Sequence, residues 1–229
     1  MTKNNFSIYG DLLFRYNGDD ETVTIPHGVD KISGLAFENC ETLVSVTIPD
    51  GVTKIGEFAF KGCKNLATVI LPDSLLHIGE SAFEYCENLK TINVPSQVTK
   101  IDRCAFSHCK NLADENGFTI IKNVLYNYYG HESNVNIPKG IIEIGRFAFG
   151  GHGGRMDNLI SVNIPDGVIT IDTYAFDCCR NLTSINIPNS VIHFGEDVFG
   201  FCEKLTIYAP KGSRAEQYAL NNDIPFVAK

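Results

Sequence analysis

Residues 43–66 read LVSVTIPDGVTKIGEFAFKGCKNL, and this stretch decides how the whole chain is interpreted. Leu43, Val46 and Ile48 alternate with polar residues, which is typical of a strand with one buried face. Pro49 ends this strand because proline has no backbone N–H to donate to a ladder. The Asp-Gly pair that follows predicts a turn. The next apolar segment, Gly-Glu-Phe-Ala-Phe, predicts one short helical or 3-10 turn.

The same pattern recurs along the chain, most often at the interval that separates Pro26 from Pro49. Each of seven copies has a proline followed at a fixed distance by a phenylalanine, and six copies then have a cysteine in the same relative position. The prolines are Pro26, Pro49, Pro72, Pro95, Pro138, Pro165 and Pro188; the phenylalanines are Phe37, Phe60, Phe83, Phe106, Phe149, Phe176 and Phe199; the cysteines are Cys40, Cys63, Cys86, Cys109, Cys179 and Cys202. One copy alone cannot bury these residues, so stacked copies must share a continuous core.

A longer duplication divides the chain into two similar units. Phe118 follows Phe6 at the same sequence distance as Tyr128 follows Tyr16. We therefore expect units of about 1–112 and 113–229 that begin with β segments at 6–16 and 118–129. Because nothing resembling a linker separates the units, we expect one solenoid over residues 1–229.

Composition excludes several classes of protein. The 229 residues include 19 basic and 27 acidic side chains, which leaves a net charge of −8. This balance disfavours nucleic acid as a partner, because phosphate binding needs clustered cations. No apolar run approaches the roughly 18 residues of a membrane span, so membrane insertion is not expected. The first ten residues, MTKNNFSIYG, show no apolar export signal.

The combination of Leu-x-x-Val-x-Ile-Pro, Val-x-x-Ile-Gly, Ala-Phe and Cys-x-x-Leu resembles the BspA-like (Treponema pallidum-type) leucine-rich repeats over residues 6–226. The resemblance implies a right-handed leucine-rich-repeat horseshoe with one parallel β-sheet and short helical or 3-10 turns on its convex side. The tail also resembles that family's ending, which implies a cap over about 206–229 with Ser213 as the N-cap of a helix over 214–221. Members of the family are surface proteins of bacteria and protozoa that adhere to host proteins or other cells.

Alignment of the copies predicts which side chains line the exposed, concave face of the sheet. Thirteen of fourteen are Ser, Thr or Asn, and none is charged or aromatic. They are Thr22, Thr24, Ser45, Thr47, Thr68, Ile70, Thr91, Asn93, Asn134, Asn136, Ser161, Asn163, Ser184 and Asn186. One interpretation is a neutral hydrogen-bonding surface for a peptide or a glycan. The other is that small polar side chains stack as ladders that keep the sheet soluble. Tyr, Trp and Arg, which usually anchor tight interfaces, are absent from this face. We therefore expect the face to bind a partner weakly, and several copies acting together would raise the affinity.

Aromatic side chains gather instead in the two β segments. The candidate contacts among them are Tyr9, Tyr16, Tyr126, Tyr128 and Tyr129. Packing into the core is the alternative for each. The glycine-rich loop at 150–155 is the one irregularity in the repeat, and it is either a functional loop or a tolerated insertion.

The cysteine column is interpreted as a set of buried, unpaired thiols that act as small hydrophobic side chains. Stacked side chains point the same way, which disfavours disulfides between neighbouring copies. There is no Cys-x-x-Cys, so no metal site is expected, and no cofactor is predicted.

The sequence also argues against an enzyme. There is no Gly-x-Ser-x-Gly or Walker motif, and the predicted face lacks the carboxylates that a glycan-cleaving solenoid needs. We expect a non-enzymatic recognition or adhesion module for a protein or glycan, with some weak self-association. An intracellular interaction scaffold is the alternative, and a glycan-active enzyme is a weaker one. The resemblance points to a secreted or surface protein, whereas the free cysteines and the lack of an export signal point to the cytoplasm.

Overall fold

The computed structural model describes residues 5–150 and 156–229 and divides into two compact units, Met1–Ala113 and Asp114–Lys229. The division lies one residue beyond the one that the duplication predicts. The loop predicted at 150–155 falls outside the described residues, except for Gly150. That the units form one continuous solenoid stays a prediction.

Among the described residues of unit 1, the regular secondary structure consists mainly of short strands joined by turns. The strands are β1 (Phe6–Tyr9), β2 (Leu12–Tyr16), β3 (Thr22–Thr24), β4 (Lys31–Ile32), β5 (Ser45–Thr47), β6 (Lys54–Ile55), β7 (Thr68–Ile70), β8 (His77–Ile78), β9 (Thr91–Ile92) and β10 (Lys100–Ile101). A 3-10 helix covers Lys110–Leu112.

Unit 2 repeats this arrangement and adds a helix. Its strands are β11 (Phe118–Ile121), β12 (Val124–Tyr128), β13 (Asn134–Asn136), β14 (Glu143–Ile144), β15 (Ser161–Asn163), β16 (Thr170–Ile171), β17 (Ser184–Asn186), β18 (His193–Phe194), β19 (Thr206–Ala209) and β20 (Phe226–Ala228), with α1 over Arg214–Asn221.

Each unit contains two sheets where one was predicted. The face sheet holds the predicted face and has the order β3-β5-β7-β9 in unit 1 and β13-β15-β17-β19-β20 in unit 2. The hairpin sheet starts with an antiparallel hairpin and has the order β1-β2-β4-β6-β8-β10 in unit 1 and β11-β12-β14-β16-β18 in unit 2. Its parallel strands come from the Val-x-x-Ile segment, which is extended enough to pair with its neighbours over two residues. The expectation of a single parallel sheet is therefore wrong, although the solenoid fold is confirmed.

The Ala-Phe segments form short stacked turns, as expected, rather than regular helices. Phe58 has a φ of 57°, in the left-handed region, which interrupts a helix. Its N–H donates to the carbonyl of Glu80 in the next rung at 2.8 Å, and Phe60 donates likewise to Ala82 at 2.8 Å. Alternate N–H groups of these turns therefore bond to the next rung, while those between them bond along the chain, as Lys61 does to the carbonyl of Phe58 at 3.1 Å.

The core of each unit is a stack of aromatic rings. Phe60 and Phe83 lie 5.1 Å apart between ring centroids with an interplanar angle of 2°, and both are fully buried. The hairpins start these stacks, because the ring of Tyr16 lies 5.0 Å from Phe37 and that of Tyr128 lies 5.2 Å from Phe149. Each hairpin therefore acts as the first rung of its unit.

Helix α1 closes the last rung of unit 2. The Ser213 side chain accepts a hydrogen bond from the N–H of Glu216 at 3.2 Å, which confirms the predicted N-cap. On the inner side of the helix, the ring of Tyr218 meets Phe199 edge-on at 5.9 Å, and its hydroxyl accepts a hydrogen bond from the N–H of Val198. The aromatic stack therefore ends against a helix rather than in solvent.

Candidate functional site

The face sheet of unit 1 brings its predicted side chains into two straight columns. Its strands are parallel and in register, so that equivalent residues of neighbouring rungs are paired. Between the columns, Val46 and its equivalents in β3 and β7 are buried in the core. The first column is Thr22, Ser45, Thr68 and Thr91, and the second is Thr24, Thr47 and Ile70, with Asn93 just beyond β9.

The face sheet of unit 2 has the same two columns, and both extend further than the alignment predicts, the second as far as Val227 of β20. The first column is Asn134, Ser161, Ser184 and Thr206; the second is Asn136, Asn163, Asn186, Tyr208 and Val227. Tyr208 therefore places an aromatic ring on a face that was expected to have none. Lys229 lies with its ammonium 5.3 Å from the centre of that ring and donates a hydrogen bond to Oδ1 of Asn186.

The predicted face is accessible and its side chains are mostly unused by the fold. None of the fourteen is buried, and nine of them are exposed. Among the described residues only Asn134, Ser161 and Asn186 of this set make a side-chain hydrogen bond; Ser161 donates to Asn134 at 2.6 Å. Most of these hydroxyls and amides are therefore free for a partner.

A different set of asparagines connects the rungs. These residues precede the recurring leucine in five of the repeats: in unit 1, Asn88 donates to Asn65 at 3.2 Å, and Asn111 donates to Asn88 at 3.3 Å. In unit 2, Asn181 donates to the carbonyl of Asp157 at 2.6 Å and accepts from Lys204 at 2.8 Å. This column forms side-chain ladders between rungs, and on the face the Ser161–Asn134 bond also links two neighbouring rungs. The sequence carried the signal of this column, a recurring Asn-Leu pair that the alignment did not use.

Three of the five predicted aromatic contacts belong to the core. Tyr16, Tyr126 and Tyr128 expose 4%, 4% and 3% of their surface, so their assignment as surface contacts is wrong. Tyr16 and Tyr128 are buried because they start the aromatic stacks, and the Tyr16 hydroxyl donates to Asp20 at 2.8 Å. Tyr129 is half-buried. Tyr9 is 68% exposed and packs edge-on against Phe14 at 5.8 Å.

Cations and aromatic rings also meet on the turns, which the sequence analysis missed. Lys61 lies 5.1 Å from the centre of the Phe58 ring and forms an ion pair with Glu84 at 2.7 Å. In unit 2, the guanidinium of Arg146 lies over the stacked rings of Phe147 and Tyr174, at 5.0 and 5.5 Å. Contacts of this kind stabilise turns by about 0.5–1 kcal/mol each at exposed positions.

The buried thiols have low chemical reactivity. All eight cysteines are free, and Cys63, Cys86, Cys109 and Cys179 are buried. Burial raises the pKa of Cys63 to about 12 and raises those of Cys86 and Cys109 as well. Since the thiolate is the nucleophile and metal ligand, these side chains do not provide a reactive centre at neutral pH.

One ionic cluster lies on the hairpin sheet of unit 1. Asp102 contacts Nε2 of His77 at 2.6 Å and Nζ of Lys100 at 3.0 Å. Burial raises the pKa of Asp102, but the hydrogen bonds from Lys100 and His77 outweigh it and hold that pKa below its usual value. The cluster joins β8 to β10 and belongs to a different sheet from the predicted face residues.

The described residues also bear on metal binding and on membrane insertion. Within residues 5–150 and 156–229, no three His, Cys, Asp or Glu side chains converge as metal ligands. In the same residues, no helix has the length and apolar character needed to cross a membrane.

Known proteins resemble this chain in sequence and in fold. A family model described as a BspA type leucine rich repeat region, in six copies, matches residues 7–128 and 119–222. The crystal structure of a T. pallidum leucine-rich repeat protein is 28% identical, covers 100% of this chain and 99% of that chain, and has a TM-score of 0.54. A leucine-rich repeat protein from Eubacterium ventriosum is 20% identical, with 88% of this chain and 66% of that chain covered and a TM-score of 0.56. No curated protein matches the chain significantly.

Proposed function

Because the chain belongs to the family with BspA-type leucine-rich repeats, we propose that it is a non-enzymatic recognition module that binds a protein or glycan through its face sheets. Proteins of this repeat family present a regular, stacked surface, which fits an interaction module. Adhesion at a cell surface is the specific role that we propose for it.

The observation that carries this proposal is the free state of the face side chains. Ten of the thirteen polar positions make no side-chain hydrogen bond with the described residues, although none is buried. By contrast, the Asn65, Asn88 and Asn111 amides are used to connect rungs. Side chains that the fold does not use, repeated in register on a rigid sheet, are available to a ligand.

The face also supports binding rather than catalysis. Its fourteen positions hold no carboxylate, histidine or cysteine, so they provide no general acid, general base or thiol nucleophile. Exposed Ser and Thr hydroxyls need an adjacent base to become nucleophilic. The proposal therefore assigns these residues to recognition.

The experiment is a binding screen with the full chain immobilised and extracellular-matrix proteins and glycans in solution. The variant Asn136→Glu/Asn163→Glu/Asn186→Glu adds three charges to the face of unit 2. A matched variant, His193→Glu/Gln217→Glu/Leu220→Glu, changes three exposed residues outside the face. We expect the first variant alone to lose ligands that bind the wild-type chain through this face. Equal binding by both variants and the wild type would reject this face as the site.

A further inference from the structure

The two face sheets differ in chemistry although they share a fold. In unit 1 the second column is Thr24, Thr47 and Ile70, which offers hydroxyls and one apolar side chain. In unit 2 the equivalent column is Asn136, Asn163 and Asn186, followed by the ring of Tyr208 and then by Val227 of β20. The second unit therefore presents a row of three identical amides that leads to an aromatic ring.

The amides in this row are open. Within the described part of the chain, the side chains of Asn136 and Asn163 have no hydrogen-bond partner, and both residues are exposed. Asn186 uses its oxygen to accept from Lys229, which leaves its N–H groups free. An amide offers a donor and an acceptor together, which is the combination that a pair of sugar hydroxyls satisfies.

The row repeats at a fixed distance. Neighbouring parallel strands lie about 4.8 Å apart, so equivalent amides recur at about that distance along a line perpendicular to the strands. A ligand that uses all three must offer a hydrogen-bonding group at each of these intervals. A linear sugar chain can do this because every ring carries hydroxyl groups. An extended peptide does not, because side chains on one of its faces recur only every second residue, at about 6.8 Å.

Charge and polarity favour the same ligand. The eight column positions on β13, β15, β17 and β19 contain no charged side chain. A charged partner would lose hydration there without gaining a counter-ion from the columns, and the nearby Lys229 ammonium is already engaged with Asn186 and the Tyr208 ring. A protein partner is also a poor fit, because protein interfaces have an apolar core, whereas seven of these positions are Asn, Ser or Thr. The Tyr208 ring supplies a flat surface for the C–H face of one terminal sugar, which would displace the exposed Lys229 side chain that lies over it.

We propose that the face of unit 2 binds a linear, uncharged oligosaccharide that runs across the strands, with one ring on each of Asn136, Asn163 and Asn186 and a further ring on Tyr208. This inference rests on the proposed function and specifies its ligand. The face of unit 1 lacks both the amide row and the aromatic ring, so it does not share this specificity.

The test is a titration of the full ¹⁵N-labelled chain, followed through its side-chain amide resonances. The probes are β-1,4-linked oligomers of glucose, mannose and N-acetylglucosamine, each as a disaccharide and as a tetrasaccharide. For at least one series, we expect the resonances of Asn136, Asn163 and Asn186 to shift and the tetrasaccharide to bind about tenfold more tightly, since it reaches two more rungs. Tyr208→Ala should weaken the tetrasaccharide by about tenfold. The isosteric Asn163→Asp should weaken it too, and Thr47→Ala in unit 1 should change nothing.

Three results would overturn the proposal. They are no shift with any tetrasaccharide, equal affinity for the two lengths, or an unchanged affinity in both the Tyr208→Ala and Asn163→Asp variants. If no sugar binds but a protein ligand shifts the three asparagine resonances, the oligosaccharide proposal fails while the recognition module stands. If the triple Glu variant also keeps every ligand of the wild-type chain, both proposals fail for this face.

Discussion

The Sγ of Cys86 donates a hydrogen bond to the carbonyl oxygen of Phe60, one rung earlier, at 3.2 Å. The same oxygen accepts from the N–H of Cys63 at 3.2 Å. Equivalent thiol bonds link Cys63 to Phe37 at 3.0 Å and Cys109 to Phe83 at 3.1 Å. Cysteine recurs at this position because it is small and apolar enough for a fully buried site and still donates to a carbonyl that would otherwise use one lone pair only.

Thiol reactivity should follow this burial. We expect iodoacetamide at pH 8 to modify the partly exposed cysteines first, because the reagent can reach their thiols; these are Cys40, Cys104, Cys178 and Cys202. Cys63, Cys86 and Cys109 should stay unmodified until the chain unfolds, since burial raises their pKa values and blocks access. Peptide mass spectrometry after timed labelling measures this order. Modification of Cys86 at the rate of Cys202 in the native chain would contradict it.

The aromatic stack should dominate the stability of unit 1. Phe83 lies fully buried between Phe60 and Phe106, with centroid distances of 5.1 and 5.5 Å. Phe83→Ala removes these contacts and leaves a cavity, so it should lower the free energy of unfolding by about 3–5 kcal/mol. Phe201→Ala is the control, because that ring is 67% exposed. Urea unfolding followed by circular dichroism measures the free energies of unfolding of both variants. Equal losses in the two variants would mean that the aromatic stack does not dominate the stability of the core.

The inward columns could be predicted from the sequence because burial imposes the same residue on every rung. Phe37, Phe60 and Phe83 recur at one constant interval, and each is fully buried. The first rungs were harder to predict, because fewer residues separate Tyr16 from Phe37 in the sequence than separate Phe37 from Phe60. Tyrosine also differs from phenylalanine by a polar group. The Tyr16 ring belongs to the core, while its hydroxyl reaches Asp20 at the edge of the unit.

The end of the face shows a second limit of a fixed period. Counting the regular interval onward from Asn186 leads to Ala209, which is buried, and Tyr208 lies one position before it. The strand pairing, rather than the count of residues, places Tyr208 beside Asn186.

Alignment of the repeats could not predict which side chains form hydrogen bonds. Asn163 on the face and Asn181 between rungs are the same residue type in similar polar settings.

Acid should weaken unit 1 through Asp102. Its folded pKa lies below the usual value because of the bonds from Lys100 and His77, so the bonds contribute stability above the unfolded pKa of about 3.9. That contribution disappears as the pH falls through the folded pKa. The Asp102→Asn variant should therefore lose less stability than the wild type between about pH 5 and pH 2. Urea midpoints across this range measure the difference.

The matched control for this titration is Asp166→Asn, which changes an exposed carboxyl in a turn of unit 2. We expect its pH profile to follow that of the wild type. If Asp102→Asn follows the wild type equally closely, the ion pairs with His77 and Lys100 do not stabilise the folded unit.

The central claim is that the two asparagine columns of unit 2 have different roles, one connecting rungs and the other open to a ligand. The most direct measurement compares the free energies of unfolding of Asn181→Ala and Asn163→Ala. Asn181 bonds to Asp157 and Lys204 across rungs, so its loss should cost about 1 kcal/mol. Asn163 has no side-chain partner among the described residues, so its loss should change stability by less than about 0.5 kcal/mol. If Asn163→Ala costs as much as Asn181→Ala, the face asparagines are part of the scaffold and the assignment of this face to recognition is contradicted.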